Sequence, residues 1–348
     1  MTVSVLTQTS FGITEIISIK RIETADQHTW HEIWKACDYA TFFHSQEWAD
    51  MWKIYTKGKY LPEPKLITFS DGKKAILPLS KRSKYGGLVS EYFLSPEGGF
   101  GGWISADQLD NSHAQVMLDW LLKRFQKDLT WILNPYDELA FQSVSPSLLS
   151  DYETYSMNLK QDFERFYSRQ SSAFRKVKKA QKTGISIKVA STLNEWKEYH
   201  EAYQHSLQRW GDSKHSEGYQ WELFEQIFHR QSPNIKLWVA TLDNRVISGA
   251  LCFYAKTHVV YWHGASLEEY FQLRPVNLLM YEIMQACHQQ GYLWFDFNPS
   301  PGLDGVTAFK KSLGASTLQC PIFVNRTPLY NFASKVEYRL KHLNSKAA

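Results

Sequence analysis

Cysteine is scarce in this chain and follows no pattern. Cys37, Cys252, Cys287 and Cys320 lie far apart, with no CxxC pair and no grouping with His. Neither a disulfide framework nor a metal site is expected, and the four read as reduced thiols. Long apolar runs are missing too. No stretch approaches the ~18 residues that would span a bilayer, so no integral membrane association is expected. The opening MTVSVLTQTSFGITEI lacks a basic region followed by an apolar one, so no export signal is read there and a cytoplasmic location is expected. Nor is there a large charge excess: a net charge of +4 falls well short of the footprint of a dedicated nucleic-acid binder.

What is present is a chain of 348 residues, 43% hydrophobic and 21% charged, which suits two globular domains. Aromatics are plentiful, with 13 Trp, 19 Tyr and 20 Phe, and core packing is the expected use of most. The positive charge is unevenly spread. Arg165, Arg169, Arg175, Lys176, Lys178, Lys179, Lys182 and Lys188 crowd one segment, where an anionic partner would be attracted.

The two halves echo each other. KLITFSDGKKAILPL (65–79) and KLWVATLDNRVISGAL (236–251) each read as strand, Asp turn, strand, and Asp-Gly and Asp-Asn suit a type I′ turn. QVMLDWLLKRFQKDLTWILNP (115–135) and LMYEIMQACHQQGYLWFDFNP (279–299) each read as amphipathic helix, turn and strand ending in Asn-Pro. The turns stand 172 residues apart and the Asn-Pro pairs 164, a difference one loop indel absorbs. Helical patterning opens each half, at 30–40 and 45–55, then at 193–210 and 219–229. The order helix–helix–hairpin–strand–helix–strand, occurring twice, implies a duplicated α/β (α+β) unit. Each unit would hold a mixed, mostly antiparallel sheet flanked by helices. The Ser- and Pro-bearing stretch 141–157 reads as the join, giving domains 1–157 and 158–348. An amphipathic helix is expected at 329–343, packing on the core rather than lying on a membrane.

That element order resembles the GNAT acyltransferase fold, and two such units in tandem resemble the FemAB family. The motifs carrying the resemblance are FFHSQEWADMWK in the first half, and in the second SRQSSAFRKVKKAQKTGISIKV, EYHEAYQHSLQRW, PVNLLMYEIMQACHQQGYLWFDFN and GLDGVTAFKKSLGA. The resemblance implies amide formation by attack of a neutral amine on an activated ester or thioester. The donor would be a co-substrate (aminoacyl-tRNA, an acyl-carrier thioester or acyl-CoA), with no tightly bound cofactor and no metal. Two further readings are an acetyl-CoA-dependent N-acetyltransferase and a non-catalytic tRNA- or polysaccharide-binding module.

Within that frame Lys310, after Gly302, Gly305 and Phe309, is expected on a surface loop-to-helix junction, steadying the donor or the developing oxyanion. Asp296, at a strand end between Phe295 and Phe297, is read either as a base with a raised pKa or as a carboxylate capping backbone N–H groups. Arg175 and Lys178, at i and i+3, would grip phosphates. Trp48 and Lys53 would meet the acceptor, although the family's lysine falls one position earlier, at Trp52. His205 and Arg209 would line the cleft or serve structure. Asn277 and Phe309 would bind substrate. The loop before Asn277, SLEEYFQLRPVN, has no glycine and carries Glu268 and Glu269, which speaks against ordinary CoA pyrophosphate binding; Arg274 leaves room for an anion.

Overall fold

The computed structural model describes residues 16–84, 87, 89–125, 128–168, 171–210 and 218–328. The expected helix at 329–343 lies outside the described residues. The first half holds β1 (Ile19–Thr24), α1 (Gln27–Ala36), α2 (Gln46–Tyr55), β2 (Tyr60–Pro62), β3 (Lys65–Phe69), β4 (Lys74–Leu77), β5 (Ser80–Lys84), β6 (Val89–Phe93), α3 (Asn111–Phe125), β7 (Leu129–Ile132), α4 (Glu138–Ser143) and β8 (Leu149–Ser150). Next come β9 (Glu153–Asn158), α5 (Phe163–Phe166), α6 (Ser172–Gln181), β10 (Ser186–Val189), α7 (Leu193–Trp210), α8 (Trp221–Arg230), β11 (Ile235–Leu242), β12 (Arg245–Tyr254) and β13 (His258–Ser266). The last elements are α9 (Pro275–Gln289), β14 (Trp294–Asp296), α10 (Asp304–Ser312), β15 (Ser316–Gln319) and β16 (Ile322–Val324).

Local chemistry starts the helices. Asp26, Ser45 and Ser171 each cap an N-terminus by accepting the N–H three residues on. Apolar spacing then chooses the buried face, as Ala173, Val177 and Ala180 do in α6. The Asp243–Asn244 turn has positive φ at both residues, 50° and 63°, as type I′ demands. The Asp71–Gly72 turn departs from the expectation: only Gly72 has positive φ, and the Phe69 N–H reaches Lys73, so this hairpin closes with a wider loop.

The second sheet runs β10-β11-β12-β13-β14-β9-β15. The first half shows the same order in two pieces, β1-β3-β4 and β2-β5-β6-β7-β16-β8. Pro78, which cannot donate to a ladder, stands between β4 and β5, and β2 is an added edge. Directions agree position by position, with β6–β7 and β13–β14 the parallel pairs. The hairpins β3–β4 and β11–β12 thus occupy equivalent places.

The sixth position of each sheet is filled from the other half. β9 enters between β14 and β15, and β16 enters between β7 and β8. The expected boundary at 157 therefore falls inside β9, a strand of the second sheet. The stretch 141–157, read as the join, carries β8 and most of β9, and its polar side chains find partners: Thr154 and Ser156 are buried and hydrogen-bonded. One core lies under α3, a second under α6 and α9, and a third, rich in rings, between the halves.

Candidate active site

β13 and β14 run together for only three pairs, His258 to Val260 against Trp294 to Asp296. β13 continues to Ser266, while the other chain turns off at Asn298, which has a left-handed φ of 65°. Past Asp296 the β14 side of β13 is therefore unpaired along residues 261–266, a gap in the sheet that is called the cleft below. Here the pairing with β12 slips: Leu251 faces His263 and Cys252 faces Tyr261, so Trp262 is an extra residue. This bulge turns two successive rings to one side. Trp262 packs on Tyr219 and Trp52, and His263 on Tyr199 and Tyr203, while Tyr261 remains on the α9 side near Phe297. The Tyr261 hydroxyl covers Gly264, where any Cβ would collide. In the first half the matching position is filled: Gly101 bridges to Leu133 and Ile104 to Ile76. A Cβ at Gly101 would come within 2.7 Å of Leu94, so glycine permits that closure.

At the end of β14, Asp296 is fully buried and accepts from Tyr136 Oη (2.6 Å), Thr154 Oγ1 (2.7 Å) and the Asn298 N–H (2.6 Å). Burial raises its pKa and these donors oppose the rise. Of the two expected roles, this geometry is that of the capping carboxylate: it fixes the turn at Asn298 and ties in Tyr136 of the first half.

Lys310 lies inside α10, 4% exposed, and not at the surface junction expected of it. Its Nζ donates to Asn298 O and Ser300 Oγ, each at 2.5 Å, and so staples the loop at the cleft's end. Burial lowers its pKa from 10.5 to about 8, against the pull of Asp296. Phe309 is half-buried against the α9-side core. Asn277 is buried in the first turn of α9 and turns its N–H back to Arg274 O.

The remaining candidates fall in separate places. Arg175 and Lys178 join Phe174, Lys179 and Lys182 around a groove of about 540 Å³ on α6. His205 and Arg209 line a cavity of about 310 Å³ with Arg245, Leu267, Glu268 and Glu269. The Arg209 guanidinium lies 4.8 Å from the Phe271 ring centroid, near the end of β13. Lys53 is exposed on α2. Trp48 is wholly buried, its Nε1 donating to Ser95 Oγ and Pro96 O among Phe43, Trp52, Phe253 and Trp262. It is therefore a packing residue between the halves and does not meet the acceptor; the run of apolar neighbours on its helix face drives it inward. Sequence reasoning missed Tyr136, Thr154, Ser300, Tyr261, Trp262 and His263. The one available signal was VVYWHGAS, where period-two alternation fails at Trp-His.

Residues 168–311 match the family model described as an acetyltransferase (GNAT) domain. The match lies wholly within the second half of the chain. Across both halves the fold is similar to the crystal structure of FemX, with a TM-score of 0.69 at 14% identity, covering 90% of this chain and 99% of that one. It is also similar to a conserved protein of unknown function from Bacteroides thetaiotaomicron (TM-score 0.56, 9% identity, 88% and 99% covered). A third likeness is to the C-terminal domain of a putative lysylphosphatidylglycerol synthetase from Agrobacterium fabrum (TM-score 0.52, 10% identity, 78% and 87% covered). At these identities the likeness is one of fold. No curated protein matches the chain. The likeness of residues 168–311 to a GNAT domain supports an acyltransferase, which would take an acyl donor and an amine acceptor. Among the described residues no helix is long and apolar enough to cross a membrane, and no group of three or more His, Cys, Asp or Glu is placed to hold a metal ion.

Proposed function

We propose that the GNAT domain forms an amide by passing an acyl or aminoacyl group directly to an amine acceptor in envelope polysaccharide, peptidoglycan or natural-product synthesis. The donor is an aminoacyl-tRNA or a carrier-bound thioester. The observation that carries this reading is the cleft between β13 and β14, closed at one end by the loop that Lys310 staples. A protonated Lys310 there adds positive charge near a carbonyl oxygen as it becomes an oxyanion.

The donor preference rests on two helices. The first turn of α9 offers an anion little: Pro275 has no N–H, and those of Asn277 and Leu278 return to Arg274 O. The groove on α6 offers four exposed cationic side chains, Arg175, Lys178, Lys179 and Lys182, and no acid in its lining. α6 packs on α9 through Phe174 and Tyr281, about 9 Å along that helix from Pro275. Phosphates held there belong to a donor that extends well beyond its acyl end.

Acetyl-CoA-dependent N-acetyl transfer is the second reading, favoured by the name of the matched domain. The test is turnover of an amine with acetyl-CoA, an acyl-carrier thioester and aminoacyl-tRNA, alongside the rise in melting temperature each produces. Activity with either of the last two and weak acetyl-CoA binding is expected. Micromolar acetyl-CoA binding, displaced by pyrophosphate and productive, would install the second reading. Binding of RNA or polysaccharide with no turnover from any donor would leave a binding module.

A further inference from the structure

The stretch of β13 left unpaired by β14 carries a histidine that the roles above do not use. His263 lies in the stretch of β13 beyond its pairing with β14, one residue past the bulge. Tyr199 Oη, from α7, is 2.6 Å from its Nδ1 and 3.2 Å from its carbonyl oxygen. A phenol has one proton to donate. If Tyr199 gives it to the carbonyl, the phenol oxygen accepts Nδ1–H and both hydrogen bonds are made. If it gives the proton to Nδ1, the carbonyl goes without a donor from the phenol. The arrangement that keeps both bonds is the Nδ1–H tautomer, which leaves a lone pair on Nε2.

Nothing among the described residues hydrogen-bonds that Nε2. His44 and His258, where the halves meet, have Nε2 atoms sealed from solvent without partners. His263 differs, being only partly buried. Its ring is held edge-on by Tyr199 and Tyr203, with centroids 6.0 and 4.2 Å away, so its direction is fixed. Burial, with His200 nearby, holds its pKa down to about 3, and the imidazole is uncharged beside an incoming amine. Tyr203, Tyr219 and Trp262 pack rings around it.

We propose that His263 receives the acceptor: its Nε2 accepts a hydrogen bond from the amine N–H on the α7–α8 side of the sheet, and Tyr199 is the positioning residue that fixes the tautomer. The proposal rests on the acyl-transfer reading and names the acceptor side of the same site. With the N–H held by Nε2, the nitrogen lone pair turns into the β13–β14 opening towards the donor carbonyl. The C–N bond forms as the donor's C–O or C–S bond breaks, and the displaced proton ends on the leaving oxygen or sulfur. His263 orients the amine and is not the final proton carrier.

Three variants separate this from a structural role. His263→Phe keeps a ring and removes the lone pair, His263→Gln keeps an acceptor atom, and Tyr199→Phe removes only the phenol. Nitrogen NMR of the side chains, needing no substrate, should show the Nδ1–H tautomer in the wild type and its loss in Tyr199→Phe. An Nε2–H tautomer in the wild type overturns the proposal. Kinetics use hydroxylamine as probe amine, background subtracted, with each donor that the wild type accepts. His263→Phe should lose about 10- to 100-fold in kcat/KM for the amine, with the donor KM unchanged and much of the loss restored in His263→Gln. An active wild type with unimpaired His263→Phe removes this proposal alone. A wild type inert with every donor removes the acyl-transfer reading and this proposal together.

Discussion

Lys310 carries a charge into a place that disfavours it, with a carbonyl and a hydroxyl as its hydrogen-bond partners. Its folded pKa of about 8 lies below the ordinary 10.5. Below about pH 8 both folded and unfolded chains hold the proton; between about pH 8 and 10.5 only the unfolded chain does. Stability from this group therefore rises with pH across that window, nominally by about 3 kcal/mol. Urea denaturation of the wild type and of Lys310→Met should diverge as pH goes from about 7.5 to 10, the wild type gaining. A constant difference would show that Lys310 titrates normally. At fixed pH, Lys310→Ala should cost about 1–3 kcal/mol and roughly 100- to 1000-fold in turnover, because the stapled loop loosens and the charge leaves the cleft. Lys311→Ala, at an exposed neighbour, should stay within about 0.5 kcal/mol and keep its activity. The Phe-Lys pair was legible in the sequence. Its burial was not, since two adjacent lysines look alike until the carbonyl of Asn298 is folded against one of them.

At the scale of elements, the two hairpins, α7 and the α9–β14 unit were legible because periodicity and turn chemistry act within a few residues. The bulge in β13 was not. A slip of one residue is decided by what packs on either face, and here Trp262 and His263 both find rings on the α7–α8 side. The basic helix α6 was legible from its charge, while its capping Ser171 came to light only in the structure. Its charges predict binding behaviour. Lys178→Glu with Lys182→Glu should weaken the binding of RNA to the protein and flatten its salt dependence, by a slope of about 0.7–0.9 for each phosphate no longer neutralised. Both side chains are exposed, so the melting temperature should hardly move. Unchanged RNA affinity and slope in that double variant would take the groove out of the donor site.

Over the whole molecule the duplication was legible and the exchange of strands was not. Repeats show in the sequence as like spacing, whereas β16 meets β7 through pairs such as Ile132 with Ile322, which no local pattern announces. With β9 in one sheet and β16 in the other, neither half holds all of its own strands. Residues 1–157 or 158–348 expressed alone should fail to give a native-like fold, and the full chain should unfold in one calorimetric transition. Two resolved transitions would contradict the coupling. The same exchange sets a timetable for synthesis. β7 and β8 leave the ribosome early, yet the strand that fits between them is made some 170 residues later. At roughly 5–20 residues per second, the gap stays open on the order of ten to thirty seconds. Throughout that interval the nascent chain presents two bare strand edges to its neighbours on the same messenger, which makes this first sheet the place where a chaperone is most needed.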